Sequence, residues 1–124
     1  MPLVSVAELM RDCTDRHYAI GYFESWNLES LEGVIDAAEQ TRSPIIIGFN
    51  GEFLCSGQRL ARERLAVYGA MGVAAARSAT VPCGLIFNEC PWDSCVLAAI
   101  EAGFNLVMPT DPSGGYDDYV QRVQ

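Results

Sequence analysis

The segment Val81–Cys95 reads V-P-C-G-L-I-F-N-E-C-P-W-D-S-C, and its interpretation decides the fold. It runs apolar from Cys83 to Phe87, then switches abruptly to Asn88 and Glu89 before a second proline, Pro91. An uninterrupted apolar run of this length is the pattern of a strand buried on both faces, as in parallel sheets. Polar residues at the carboxyl end of such a strand stand where α/β folds place their chemistry. Pro91 suits the first turn of a following helix, where a missing N–H costs nothing. The segment thus sets an amide and a carboxylate at the mouth of a sheet, beside a helix start. The plainer reading is that Asn88 and Glu89 only end the strand and cap the helix.

The same alternation extends on both sides. Upstream, Ser5 precedes Val6, Leu9, Met10 and Cys13 at helical spacing, with Glu8 completing a capping-box signature. Tyr18–Phe23 predicts a first strand that ends in Glu24-Ser25-Trp26-Asn27. Asn27 opens a helix whose Leu28, Leu31, Val34, Ile35 and Ala38 share one face. Ile45–Phe49 is the clearest strand, ended by Asn50-Gly51-Glu52. A loop around Cys55-Ser56-Gly57 then leads to an alanine-rich helix from about Arg59 to Ser78. Downstream, Asp93–Ala102 predicts a helix stopped by Gly103, followed by a strand at Asn105–Met108 and a last helical pattern at Tyr116–Gln124. Strands alternating with helices mean βαβ units and a parallel sheet. The strand ends are alike, with Glu24, Asn50 and Glu52, Asn88 and Glu89, and Thr110 and Asp111. Such repetition favours a shared polar mouth, although helix capping supplies part of the pattern. Trp26 and Trp92 follow strand ends and either line that mouth or pack onto loops.

At 124 residues the chain has the length of a single domain, taken as 1–124. Half of it is apolar, and the 19% charged fraction falls below the roughly 25% of ordinary globular proteins, which suggests surface meant for a partner. A net charge of −8 argues against nucleic acid as a partner. All eight basic residues are arginines, so no lysine is present to form a Schiff base. The five cysteines show no CxxC spacing and read as reduced thiols, with Cys13 and Cys83 as core filler. A catalytic thiolate at Cys90 or Cys95 lacks a nearby histidine, because the only one, His17, is distant in sequence. The start carries no signal-peptide pattern, and no run approaches a membrane span, so a cytoplasmic protein without membrane association is expected.

The stretches P-L-V-S-V-A-E-L-M, Y-A-I-G-Y-F-E-S-W-N-L-E-S-L, A-A-E-Q-T-R-S-P-I-I-I, V-P-C-G-L and A-I-E-A-G-F-N-L-V-M follow one another in a familiar order. In this the chain resembles the class II fructose-bisphosphate and tagatose-bisphosphate aldolases over nearly its whole length. The resemblance implies an α/β fold of the (β/α)8 TIM-barrel type, of which this chain is the N-terminal half barrel of four parallel βα units. It also implies metal-dependent aldol cleavage of a phosphorylated ketose, with zinc as the family's metal. Family members carry an Asp–His pair after the third strand, in a pattern like H-x-D-H-G, where the Asp transfers a proton and the His ligates zinc. Here the stretch is I-F-N-E-C, so Asn88 stands at the Asp position and Glu89 at the His position. Asn88 cannot exchange a proton near neutral pH, and Glu89, as an oxygen donor, suits magnesium or manganese better than zinc. Glu24 replaces the family's asparagine after the first strand, and Asn50 its serine after the second.

Three readings follow. The first is an aldolase-like half barrel, inactive in isolation, with Asn88 at the catalytic position and Glu24, Asn27, Asn50 and Asp111 facing a sugar-phosphate ligand. The second is a divergent metal-dependent lyase or isomerase, completed by a second half, with Glu89 as ligand to a divalent cation. The third is a non-catalytic interaction module with no metal, whose polar strand ends are caps. An open half barrel leaves edge strands and one apolar sheet face without cover, so self-association as a homodimer or larger oligomer is expected.

Overall fold

The computed structural model describes residues 2–58, 64–111 and 114–123. The elements run α1 (Val6–Arg16), β1 (Gly21–Glu24), α2 (Leu28–Thr41), β2 (Ile45–Asn50), α3 (Gly51–Cys55), α4 (Leu65–Ser78), β3 (Cys83–Cys90), α5 (Asp93–Glu101), β4 (Leu106–Pro109) and α6 (Tyr116–Val123). The strands pair in parallel in the order β1-β2-β3-β4, so each βα unit lays its strand beside the previous one.

Alternation along the strands sorts the core into two layers. Ile45, Ile47 and Phe49 of β2 and Cys83, Leu85 and Phe87 of β3 point to one side, where Leu31 and Ile35 of α2, Ala76 of α4 and Ala99 of α5 cover them. Phe87, Leu85 and Ile47 are wholly buried there, and each such side chain contributes about 1.5–3 kcal/mol on leaving water. Ile46 and Ile86 point to the other side, where Leu9 of α1 seals them. The inner face is therefore not bare, as the open half barrel suggested, because α1 folds across its amino end. The segment before α1 is pinned there: Val4 N donates to Cys83 O at 2.9 Å, and Asn105 Nδ2 donates to Val4 O at 2.7 Å.

Caps behave as the sequence predicts. Ser5 and Glu8 form the reciprocal box at α1, and Gly103 holds φ +100 just past α5. Several boundaries move. Residues 59–63 of the expected long helix lie outside the described residues, and α4 is described from Leu65. The first strand starts at Gly21 because Tyr18 is drawn back to α1. Its N–H donates to Cys13 O at 3.1 Å and its hydroxyl to Asp12 at 2.7 Å. An unexpected short helix, α3, follows β2 directly. The central strand does not stop at Phe87 but continues to Cys90, and the last strand is displaced by one residue to Leu106–Pro109. Pro91 stays outside α5, whose N-cap is Trp92 and carries no side-chain cap bond. Asn88 and Glu89 are thus strand residues and do not cap that helix.

Candidate functional site at the carboxyl end of the sheet

The register places Tyr22, Glu24, Asn50 and Asn88 on the inner face towards the strand ends. Glu24 of β1 lies opposite Gly48 of β2, which lies opposite Ile86 of β3. Gly48 is bare for a steric reason: a Cβ there would fall 2.5 Å from Ile86 Cγ2 and 2.9 Å from the Ile86 carbonyl carbon. Over that bare position Asn88 Nδ2 donates to Glu24 Oε2 at 3.4 Å, and the Tyr22 hydroxyl donates to the same oxygen at 2.9 Å. Burial first, then the bond to Glu24, pushes the Tyr22 hydroxyl pKa up, so it stays protonated and donates. Asn88 is only 8% exposed, and Glu24 is its hydrogen-bond partner across the sheet.

A second pair stands beside the first. Asn50 uses both ends of its amide: Oδ1 accepts from Phe53 N at 2.8 Å, capping α3, and Nδ2 donates to Glu89 Oε2 at 3.0 Å. Glu89 is exposed and has φ +54, a left-handed conformation rare for a residue with a side chain. It sits where the β3–β4 register slips. Phe87 pairs with Val107 and Cys90 with Pro109, so β3 carries one extra residue, a β-bulge.

Glu89 also lines a groove of about 550 Å³ with Glu52, Met108, Thr110, Asp111 and Tyr119. Asp111 accepts from Gly114 N at 2.8 Å. Arg122 of α6 closes the outer wall, donating to Asp93 at 2.5 Å and to Pro91 O at 2.6 Å. Asn27 is engaged as the N-cap of α2, with Oδ1 accepting from Ser30 N at 2.9 Å. Trp26 packs edge-on to Phe53 of α3, with ring centroids 4.6 Å apart. His17 is the left-handed C-cap of α1, at the other end of the sheet.

The structure therefore joins Glu24 to Asn88 and Asn50 to Glu89, and puts Glu89 and Asp111 on one groove. The sequence reading noted Glu52 at the strand end without counting it in the site, yet it lines that groove too. It also missed Tyr22, which a polar tip in an alternating strand would have flagged. The donors here are amides, hydroxyls and carboxylates. That set offers no imidazole or thiolate and does not fit a zinc centre of nitrogen or sulfur ligands; it suits hydroxyl groups or a hard cation. Among the described residues, the carboxylates of this mouth are not gathered closely enough for three of them to share one ion. Glu52, Glu89 and Asp111 give the groove an acidic lining, with Arg122 held at its outer wall by Asp93 and the Pro91 carbonyl, so the groove favours cations.

Comparison with known proteins agrees with this architecture. The class II fructose-bisphosphate aldolase family model matches residues 4–114. A probable fructose-bisphosphate aldolase from Bacillus subtilis is 31% identical over 87% of this chain and 37% of its own length. A sulfofructosephosphate aldolase from Alkalicoccus urumqiensis is 26% identical over 100% of this chain and 41% of its own length. The crystal structure of the YdjI aldolase from Escherichia coli K12 superposes with a TM-score of 0.80 at 31% identity, covering 96% of this chain and 43% of that one. The chain thus spans less than half the length of these relatives, and its four parallel βα units correspond to half a barrel.

Proposed function

The chain belongs to the class II fructose-bisphosphate aldolase family, and on that premise we propose that it supplies a rebuilt half of a sugar-binding mouth without the family's proton-transfer group. Asn88 carries this reading: it stands at the family's Asp position, is nearly buried, and spends its amide on Glu24. An amide there orients a hydroxyl or a carboxylate but moves no proton. Glu24, Asn50, Glu89 and Asp111 would bind the hydroxyls of a sugar-like substrate, with Asn27 shaping the loop beside them. Glu89 would ligate magnesium or manganese, which would also offset the acidity of the groove. The phosphate of a sugar phosphate would have to be held elsewhere, by a second half of the barrel.

A partner half fits the edges. β1 presents an unpaired edge, Phe23 is 55% exposed, and an apolar groove of about 530 Å³ beside it is lined by Phe23, Gly33, Val34, Ala37 and Ile45. Either a further length of chain or a second copy would cover that surface. Among the described residues no helix is long and apolar enough to cross a membrane, and the acidic, cysteine-bearing chain suits the cytoplasm.

The test is to assay the purified chain for cleavage of fructose 1,6-bisphosphate with zinc, magnesium or manganese. The expected result is no cleavage above the uncatalysed rate. Zinc-dependent turnover that survives chelation of other metals would overturn the reading.

A further inference from the structure

On the helix-covered side of the sheet, opposite the mouth, three cysteines from three segments meet. Cys55 ends α3, Cys90 ends β3 and Cys95 lies in the first turn of α5, and their sulfurs all lie within 4.8 Å of one another. Among the described residues this is the one set of three His, Cys, Asp or Glu side chains gathered so closely. Two backbone features produce it. The bulge at Glu89 shifts the alternation by one residue and turns Cys90 from the inner face into the helix-side core. Gly51 lets α3 rest on β3, since a Cβ there would fall 2.7 Å from Cys90 Cβ and 2.8 Å from the Phe87 ring. That close approach carries Cys55 over Cys90.

We propose that Cys55, Cys90 and Cys95 form a soft-metal site that takes one divalent zinc or cadmium ion through three thiolates. Sulfurs bound to one zinc at about 2.3 Å lie roughly 4 Å apart, so ligation needs the cluster to contract by less than about an ångström. Thiolates select these ions over the hard cations suited to the mouth. Cys90 is buried and the other two are half-buried, which leaves a fourth position for water on the outer side. Cys95 stands at the positive end of nine-residue α5, which offsets part of the thiolate charge. Burial first, and for Cys55 then its hydrogen bond with Cys95, pushes the thiols of Cys55 and Cys90 up. Binding exchanges the S–H bonds of these cysteines for sulfur–metal bonds and passes one proton to the buffer for each S–H bond broken. Core filling is the ordinary role of a buried cysteine, and Cys83 fills it, its thiol pushed up to about 11 by burial. Filling the core does not require three sulfurs to face one point. The site shares no ligand with the mouth, so its failure leaves the proposed function untouched.

The test titrates the whole chain, reduced and kept free of oxygen, with cadmium, following sulfur-to-cadmium charge-transfer absorption and thiol accessibility. Saturation at one ion per chain is expected, with the half-buried thiols of Cys55 and Cys95 becoming protected from alkylation. Cys95→Ser and Cys55→Ser, both at half-buried positions and checked for folding by circular dichroism, should each weaken binding at least roughly tenfold. Cys13→Ser should leave it unchanged. No saturable band, or affinity equal to wild type in Cys95→Ser and Cys55→Ser, would overturn the proposal.

Discussion

Replacing Glu89 by glycine and, separately, by alanine measures what the fold gives up to present that carboxylate. Both variants lose the bond that Asn50 Nδ2 makes to Glu89 at 3.0 Å, so in a comparison between them it cancels. What remains is the left-handed backbone at φ +54. Alanine held there costs about 1–2 kcal/mol, while glycine sits there freely. Glycine is in turn disfavoured by its greater freedom in the unfolded chain, by about 0.4–1 kcal/mol. The difference centres near 0.8 kcal/mol in favour of glycine, or roughly 2–5 °C in melting temperature for a chain of this size. Against the wild type, alanine should fall by the hydrogen bond alone, about 0.5–1.5 kcal/mol, and glycine should lie close to wild type. Urea unfolding followed by circular dichroism, with equal slopes for the three proteins, gives these numbers directly. If alanine equals or exceeds glycine in stability, the bulge does not hold residue 89 in the left-handed region and the reasoning fails. The expected order means that glycine would serve the fold as well as glutamate, so the fold itself does not require the carboxylate.

Two further tests address the ends of the sheet. Asn88→Asp sets a second carboxylate against Glu24, across a separation now 3.4 Å, and should destabilise the chain by about 1–3 kcal/mol at neutral pH; adding Glu24→Asn should restore most of that in a urea-unfolding cycle. Glu39 accepts from the Thr80 hydroxyl at 2.5 Å and from the Thr80 N–H, which hold its carboxyl below its ordinary value of 4.5. Its contribution is therefore complete above that value and lost as pH falls through the lower, folded one, and Glu39→Gln should flatten the acid side of a plot of melting temperature against pH.

Much of the fold was legible because its signals are local. Ser5 with Glu8, Asn27 before an amphipathic stretch and Gly103 after one mark helix ends by the hydrogen bonds and dihedral angles those residues alone can provide. The apolar runs at Ile45 and Cys83 announce buried parallel strands. The bulge was illegible because the usual sequence mark of a left-handed bulge is glycine, and Glu89 gives no such sign. Without it the strand reads as stopping at the first polar residue, short of Cys90. α3 was hidden because Asn50-Gly51 also reads as a turn. The cysteine cluster has no spacing motif, since three elements meeting in space set it and no single segment does.

Glu24 and Asn88, the two departures that the resemblance marks, form one hydrogen-bonded pair. By the resemblance, the family sets an asparagine after the first strand and an aspartate after the third; this chain has Glu24 and Asn88 there. Across Gly48 the two side chains meet as one donor and one acceptor. The ionisable group of the pair stands on β1, where the Tyr22 hydroxyl also holds it. A carboxylate fixed by a tyrosine and an amide is poised to accept hydrogen bonds from a ligand's hydroxyls. The mouth thus sets its fixed acid on the first strand and an amide on the third. That arrangement underlies the proposal that the chain binds a sugar-like ligand without the family's cleavage.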